Sequence, residues 1–107
     1  MNTNRLERLL ALYTQNPNDI FVIYALAKEY ESKEEYSLSE ERFKEILNKD
    51  ADYVGMYYHY GKLLWKLSRD KESIAMLDQG IVIAEKLGDK HALGELKQLR
   101  WEVSDED

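Results

Sequence analysis

The stretches IYALAKEY at residues 23–30 and YYHYGKLL at residues 57–64 decide how this chain is read. At a shift of 34 residues Tyr24 falls on Tyr58, Leu26 on Tyr60, Ala27 on Gly61 and Lys28 on Lys62. The same shift carries Ser39 onto Ser73, Phe43 onto Leu77 and Leu47 onto Ile81. Taken backwards, it sets Leu9 under Phe43, Tyr13 under Leu47 and Pro17 under Ala51. Self-similarity that survives three segments without a gap marks a repeat array, in which each unit is one supersecondary element.

The units are helical. Apolar residues recur at i, i+3 and i+4 almost throughout, and no segment sustains the alternation of a strand. The spacing predicts helices over about residues 4–15, 19–32, 37–49, 53–67, 70–87 and 89–103. Asn4 with Glu7 reads as a capping box, and so does Ser37 with Glu40. Asp70 reads as the N-cap of the fifth helix, Gly88 as a helix stop and Asp89 as a new cap. Within each unit Ala27 and Gly61 are small where the two helices of a hairpin must approach. Ile23, Leu26 and Tyr30 surround the first approach, and Tyr57, Tyr60 and Leu64 the second. Ser39 and Ser73 are the small counterparts on the following helix, ahead of the knobs Phe43 and Leu77. One hairpin cannot cover its own apolar face, so neighbours must stack on it.

On these residues the chain resembles the tetratricopeptide repeat family, whose pattern runs aromatic, Leu-Gly, Tyr, then Ala, Phe and Pro. One unit reads Ile23, Leu26-Ala27, Tyr30, Ser39, Phe43, Ala51, and the next Tyr57, Tyr60-Gly61, Leu64, Ser73, Leu77, Glu85. Neither keeps the closing proline, and both carry Ser where Ala is usual. The resemblance implies an all-α fold of antiparallel helical hairpins stacked as a short right-handed solenoid with capping helices at both ends. Residues 1–103 then form a single domain: 4–17 an N-terminal half repeat, 20–53 and 54–87 the full repeats, and 104–107 an acidic tail. Leu93-Gly94 arrives one residue early for a third copy, so residues 89–103 are a capping helix or a degenerate repeat.

Composition agrees with solvated helical hairpins. Of 107 residues, 44% are hydrophobic and 34% charged, with one proline and five glycines. A net charge of −6 argues against a general nucleic-acid binder, which needs clustered Lys and Arg. The absence of cysteine removes disulfides, a thiolate nucleophile and sulfur-based zinc sites, and suits a reducing cytoplasm. The apolar run Leu9 to Leu12 is too short for a secretory core or a membrane span.

Inside this acidic chain, helical spacing gathers a lysine and aromatic strip. Tyr24, Lys28 and Glu31 share one line, and Tyr58, Lys62 and Trp65 the matching line of the next unit, with Phe21, Ala25, His59 and Lys66 alongside. In the family that the chain resembles, first helices line a concave groove for a peptide or a partner's helix. The resemblance therefore implies a protein-interaction module, an adaptor or assembly factor, with Phe21, Tyr24, Lys28, Tyr58, His59, Lys62, Trp65 and Lys66 as the partner-binding residues. Aromatic surface with lysines at the rim suits a protein or peptide partner carrying acidic and apolar residues. Some members clamp a C-terminal carboxylate with Lys and Asn. Here Tyr24 and His59 stand at those places, which speaks against that mode.

Chemistry is poorly provided for, and no enzyme, cofactor or metal is expected. The two histidines, His59 and His91, lie in separate units, and His91 with Glu95 reads as a surface pair rather than a metal site. Ser68 and Ser73 lie near helix starts, and no phosphate-cradling glycine loop occurs. The alternative to a peptide groove is a homo-oligomeric structural element, with Trp101, off the Leu93, Leu96, Leu99 stripe, seeding a homodimer.

Overall fold

Asn4 opens the first helix as a capping box. Its side chain accepts from the Glu7 amide at 2.8 Å, while the Glu7 carboxylate accepts from the Asn4 amide. In the computed structural model, which describes residues 4–105, six α-helices follow one another: α1 (Arg5–Gln15), α2 (Ile20–Ser32), α3 (Tyr36–Lys49), α4 (Gly55–Lys66), α5 (Asp70–Leu87) and α6 (Lys90–Asp105). No strand occurs among the described residues. The all-α helical repeat expected from the sequence is therefore the fold, with helix ends within about two residues of expectation. No helix of the described residues is long and apolar enough to cross a membrane.

Packing divides the chain between Ala51 and Asp52 into two units. In the first, α2 packs against both α1 and α3. Its core holds Leu9, Ile23, Leu26, Ala27, Phe43 and Ile46. Tyr13, expected only as part of an apolar stripe, also has a polar task. Its hydroxyl donates to Glu45 Oε2 at 2.8 Å, while the Arg42 guanidinium lies 5.4 Å from its ring centroid and 3.2 Å from Glu45 Oε1. The hydrogen bond to the Glu45 carboxylate, with burial adding to it, raises the phenol pKa above its ordinary value. In the second unit α4, α5 and α6 all pack on one another around Met56, Tyr57, Leu64, Leu77, Leu96 and Leu99. Arg100 ties α6 to α5 through Asp78 at 2.9 Å.

The matched tight crossings are real. Ala27 and Gly61 are buried, and a Cβ added at Gly61 would lie 2.5 Å from Leu77 Cδ2. The serines opposite them do more than stay small. The Ser39 hydroxyl donates to the Ala27 carbonyl at 2.7 Å, and the Ser73 hydroxyl donates to the Gly61 carbonyl at the same distance. Both are buried, so each hydroxyl is satisfied by the crossing it sits in. Ser in place of the usual Ala is thus a hydrogen-bonded substitution, made identically in both units.

Three expectations need correction. Ser37 and Glu40 form no capping box: α3 begins at Tyr36 behind Glu35, with no side-chain cap. Likewise Asp70 is the first residue of α5 behind Arg69, where its charge faces the positive helix end without capping it. The cause is shared. Glu34 and Ser68, one repeat apart, adopt the left-handed conformation with φ of 60° and 61°. The following amides then turn back, Glu35 to the Tyr30 carbonyl and Arg69 to the Leu64 carbonyl, each at 2.9 Å. This closure ends one helix and starts the next earlier than the capping pattern indicates. Gly88, with φ of 69°, ends α5 in the same way, and the Asp89 side chain accepts from the Ala92 amide as expected of a cap. Third, α6 runs through Asp105, so Ser104 and Asp105 are helical; the Ser104 hydroxyl donates to the Arg100 carbonyl. The last two positions of the expected tail lie outside the described residues.

A non-glycine residue in the left-handed region costs about 1–2 kcal/mol. Ser68→Gly is therefore expected to raise stability by about 1 kcal/mol, after the entropic penalty of glycine, as read by urea denaturation. An unchanged or lower midpoint would show that the serine side chain stabilises the turn.

Candidate interaction surface

Along α2 the expected strip is exposed on an arc distinct from the core. Phe21, in the first turn, is 69% exposed, Tyr24 is half-buried and Lys28 is exposed. The Lys28 ammonium sits 5.8 Å from the Tyr24 ring centroid, a cation–π pair made by the i, i+4 spacing. Ala25, expected alongside, is buried with Val22 and Leu26 instead.

On α4 the same separation of arcs holds. Tyr57, Tyr60, Gly61 and Leu64 are buried, while Tyr58, His59 and Trp65 are half-buried and Lys62 and Lys66 exposed. The Tyr58 and His59 rings meet edge-on, with centroids 5.3 Å apart. Lys62, Trp65 and Lys66 line an open depression of about 500 Å3, closed at the turn to α5 by Ser68 and Asp70. Five of the eight expected residues thus lie on α4 of the second unit, and Phe21, Tyr24 and Lys28 on α2 of the first.

The sequence reading missed what faces Tyr58. A second depression, of about 450 Å3, runs between Tyr58 and one side of α6, where Gly94, Glu95, Gln98 and Glu102 form its wall and Lys90 and His91 its end. This wall carries two carboxylates beside the apolar Leu99, unlike the lysine-rich α4 strip. The one available signal was Gly94, a glycine within a helix whose missing Cβ would meet nothing within 4 Å. A glycine there costs about 1 kcal/mol of helix propensity, and no packing contact requires it. The slipped register after Leu87 hid its place beside Tyr58.

The remaining candidates are surface features. His91 and Glu95 pair at 3.6 Å, both exposed, one turn apart on α6. Trp101 is 61% exposed.

The chain is similar to a tetratricopeptide repeat domain protein from Salinibacter ruber, known from a crystal structure and a solution structure. Against the crystal structure the identity is 36%, covering 83% of this chain and 99% of that one, with a TM-score of 0.79. Against the solution structure it is 36%, covering 86% and 93%, with a TM-score of 0.82. A protein of Bordetella parapertussis shares the fold at 22% identity, over 99% of this chain and 92% of that one, with a TM-score of 0.87. No family model and no curated protein matches the chain.

Proposed function

Because the chain belongs to the tetratricopeptide repeat family, we propose that it is a non-catalytic protein-interaction module of the cytoplasm, an adaptor or assembly factor that binds a peptide or a partner's helix. Each unit contributes its own lysine and aromatic strip: Phe21, Tyr24 and Lys28 from α2, and Tyr58, His59, Lys62, Trp65 and Lys66 from α4.

The observation that carries this reading is Trp65, half-buried between two exposed lysines at an open depression. A tryptophan so placed has apolar surface still to bury, little entropy to lose and cations at its rim to steer an acidic segment. Partners with acidic and apolar residues complement it. Affinity on the order of micromolar is what a short groove supports.

Calorimetric titration with acidic, aromatic-rich peptides tests this. Lys62→Ala combined with Trp65→Ala is expected to weaken binding about 50-fold, as the loss of one aromatic anchor and one steering charge. Binding indifferent to both substitutions would place the interface elsewhere.

A further inference from the structure

The α6 wall beside Tyr58 has a chemistry of its own. Most carboxylates on this chain that make a side-chain ion pair hold a lysine or arginine: Glu29 holds Arg5 at 3.3 Å, Glu45 holds Arg42 at 3.2 Å, Asp52 holds Lys86 at 3.1 Å, and Asp78 holds Arg100 at 2.9 Å. Glu95 and Glu102 of α6 have other partners. Glu95 meets His91 at 3.6 Å, and Glu102 accepts from the Gln98 amide at 3.5 Å. Neither holds a lysine or arginine among the described residues.

Seven residues apart, Glu95 and Glu102 stand on one side of α6, about 10 Å from each other along its axis. Gln98 lies between them, and Tyr58 forms the facing wall. Gly94 adds no side chain to this wall, a Cβ there would find nothing within 4 Å, and Leu99 also lines the depression. Lys90 lies twelve residues from Glu102, about 18 Å along the helix, so the Gln98–Glu102 end is remote from its charge.

We propose that this depression receives one lysine or arginine side chain of the bound partner. The alkyl stem lies across Gly94 and the Tyr58 ring, and the cation rests between Glu102 and Gln98 with Glu95 adding attraction. An aromatic wall and a carboxylate together offer a cation two complementary interactions. This inference rests on the interaction-module reading and refines it. The preferred partner segment is amphoteric, with acidic and apolar residues along α4 and a single basic residue for α6.

Selection of random dodecapeptides displayed on phage against the full chain tests the assignment. The wild type is expected to enrich peptides with lysine or arginine at one fixed position. Synthetic versions with norleucine there bind about ten-fold more weakly. Two variants follow: Glu95→Gln with Glu102→Gln, which keeps shape and removes charge, and Gly94→Leu, which puts a side chain into the depression at an exposed position where a Cβ meets nothing within 4 Å. In both, the basic preference disappears while binding through Lys62 and Trp65 persists. Peptides that bind through Lys62 and Trp65 with no basic preference, or with one unchanged in both variants, overturn the cation site and leave the module reading standing. Failure to select any peptide overturns both.

Discussion

Gly80→Ala is expected to destabilise the chain by about 2 kcal/mol, although alanine is the better helix former. A Cβ at Gly80 would lie 2.5 Å from Tyr57 Cβ, 3.0 Å from Tyr57 Cγ and 3.1 Å from Leu96 Cδ2. Tyr57 Cβ is fixed to the backbone of α4, so rotamer change cannot relieve the first contact, and α4 and α5 must move apart. Overpacking of this kind costs about 1–3 kcal/mol, and the propensity gain of about 1 kcal/mol does not cover it. The repeat supplies the rescue. One period back, the positions of Tyr57 and Gly80 are held by Ile23 and Ile46, both buried. The large-small pair of the second unit is a pair of medium residues in the first. Tyr57→Ile with Gly80→Ile should therefore be less destabilising than Gly80→Ile alone in urea denaturation. Additive losses would show that the two crossings are not equivalent.

Phe43→Ala is expected to remove about 4 kcal/mol, the larger effect. Phe43 is fully buried in the first unit, in the register position where Leu77 fills the space over Gly61 in the second. Deleting the ring leaves a cavity that α2 and α3, held apart by their other contacts, cannot close. Against a typical total of about 5–15 kcal/mol, that loss is a quarter or more of the stability of a chain this size. Phe43→Leu installs the residue of the second unit and should cost about 1 kcal/mol. Circular-dichroism melts of the two variants separate the cases. Similar melting temperatures for both would mean that ring volume does not support this crossing.

Helix number, helix type and the paired crossings were legible because apolar periodicity and the 34-residue shift report the same geometry. The helix starts at Tyr36 and Asp70 were not, because a left-handed Glu34 or Ser68 leaves no trace in residue type; a glycine would have. Ser39 and Ser73 were read as departures from a pattern, since size is visible in a sequence and a hydrogen bond to a carbonyl twelve residues back is not. Gly80 escaped for a related reason. Its repeat partner is Ile46, and the exchange makes sense only beside the opposite exchange of Ile23 for Tyr57. The arc carrying Tyr58, Lys62 and Trp65 followed from spacing alone. What faces Tyr58 did not, because α6 departs from the repeat register.

The buried serine contacts also act as a ruler for the connecting turns. Donor and acceptor are twelve residues apart in each hairpin, with a three-residue turn, 33–35 or 67–69, between the helices. An extra residue taken up into either helix there would turn the serine about 100° around the helix axis, off the carbonyl, and strand both groups in an apolar seam. The links at 16–19 and 50–54 hold no buried serine and carry no such gauge. Natural length variation in proteins built this way should therefore collect between hairpins rather than within them.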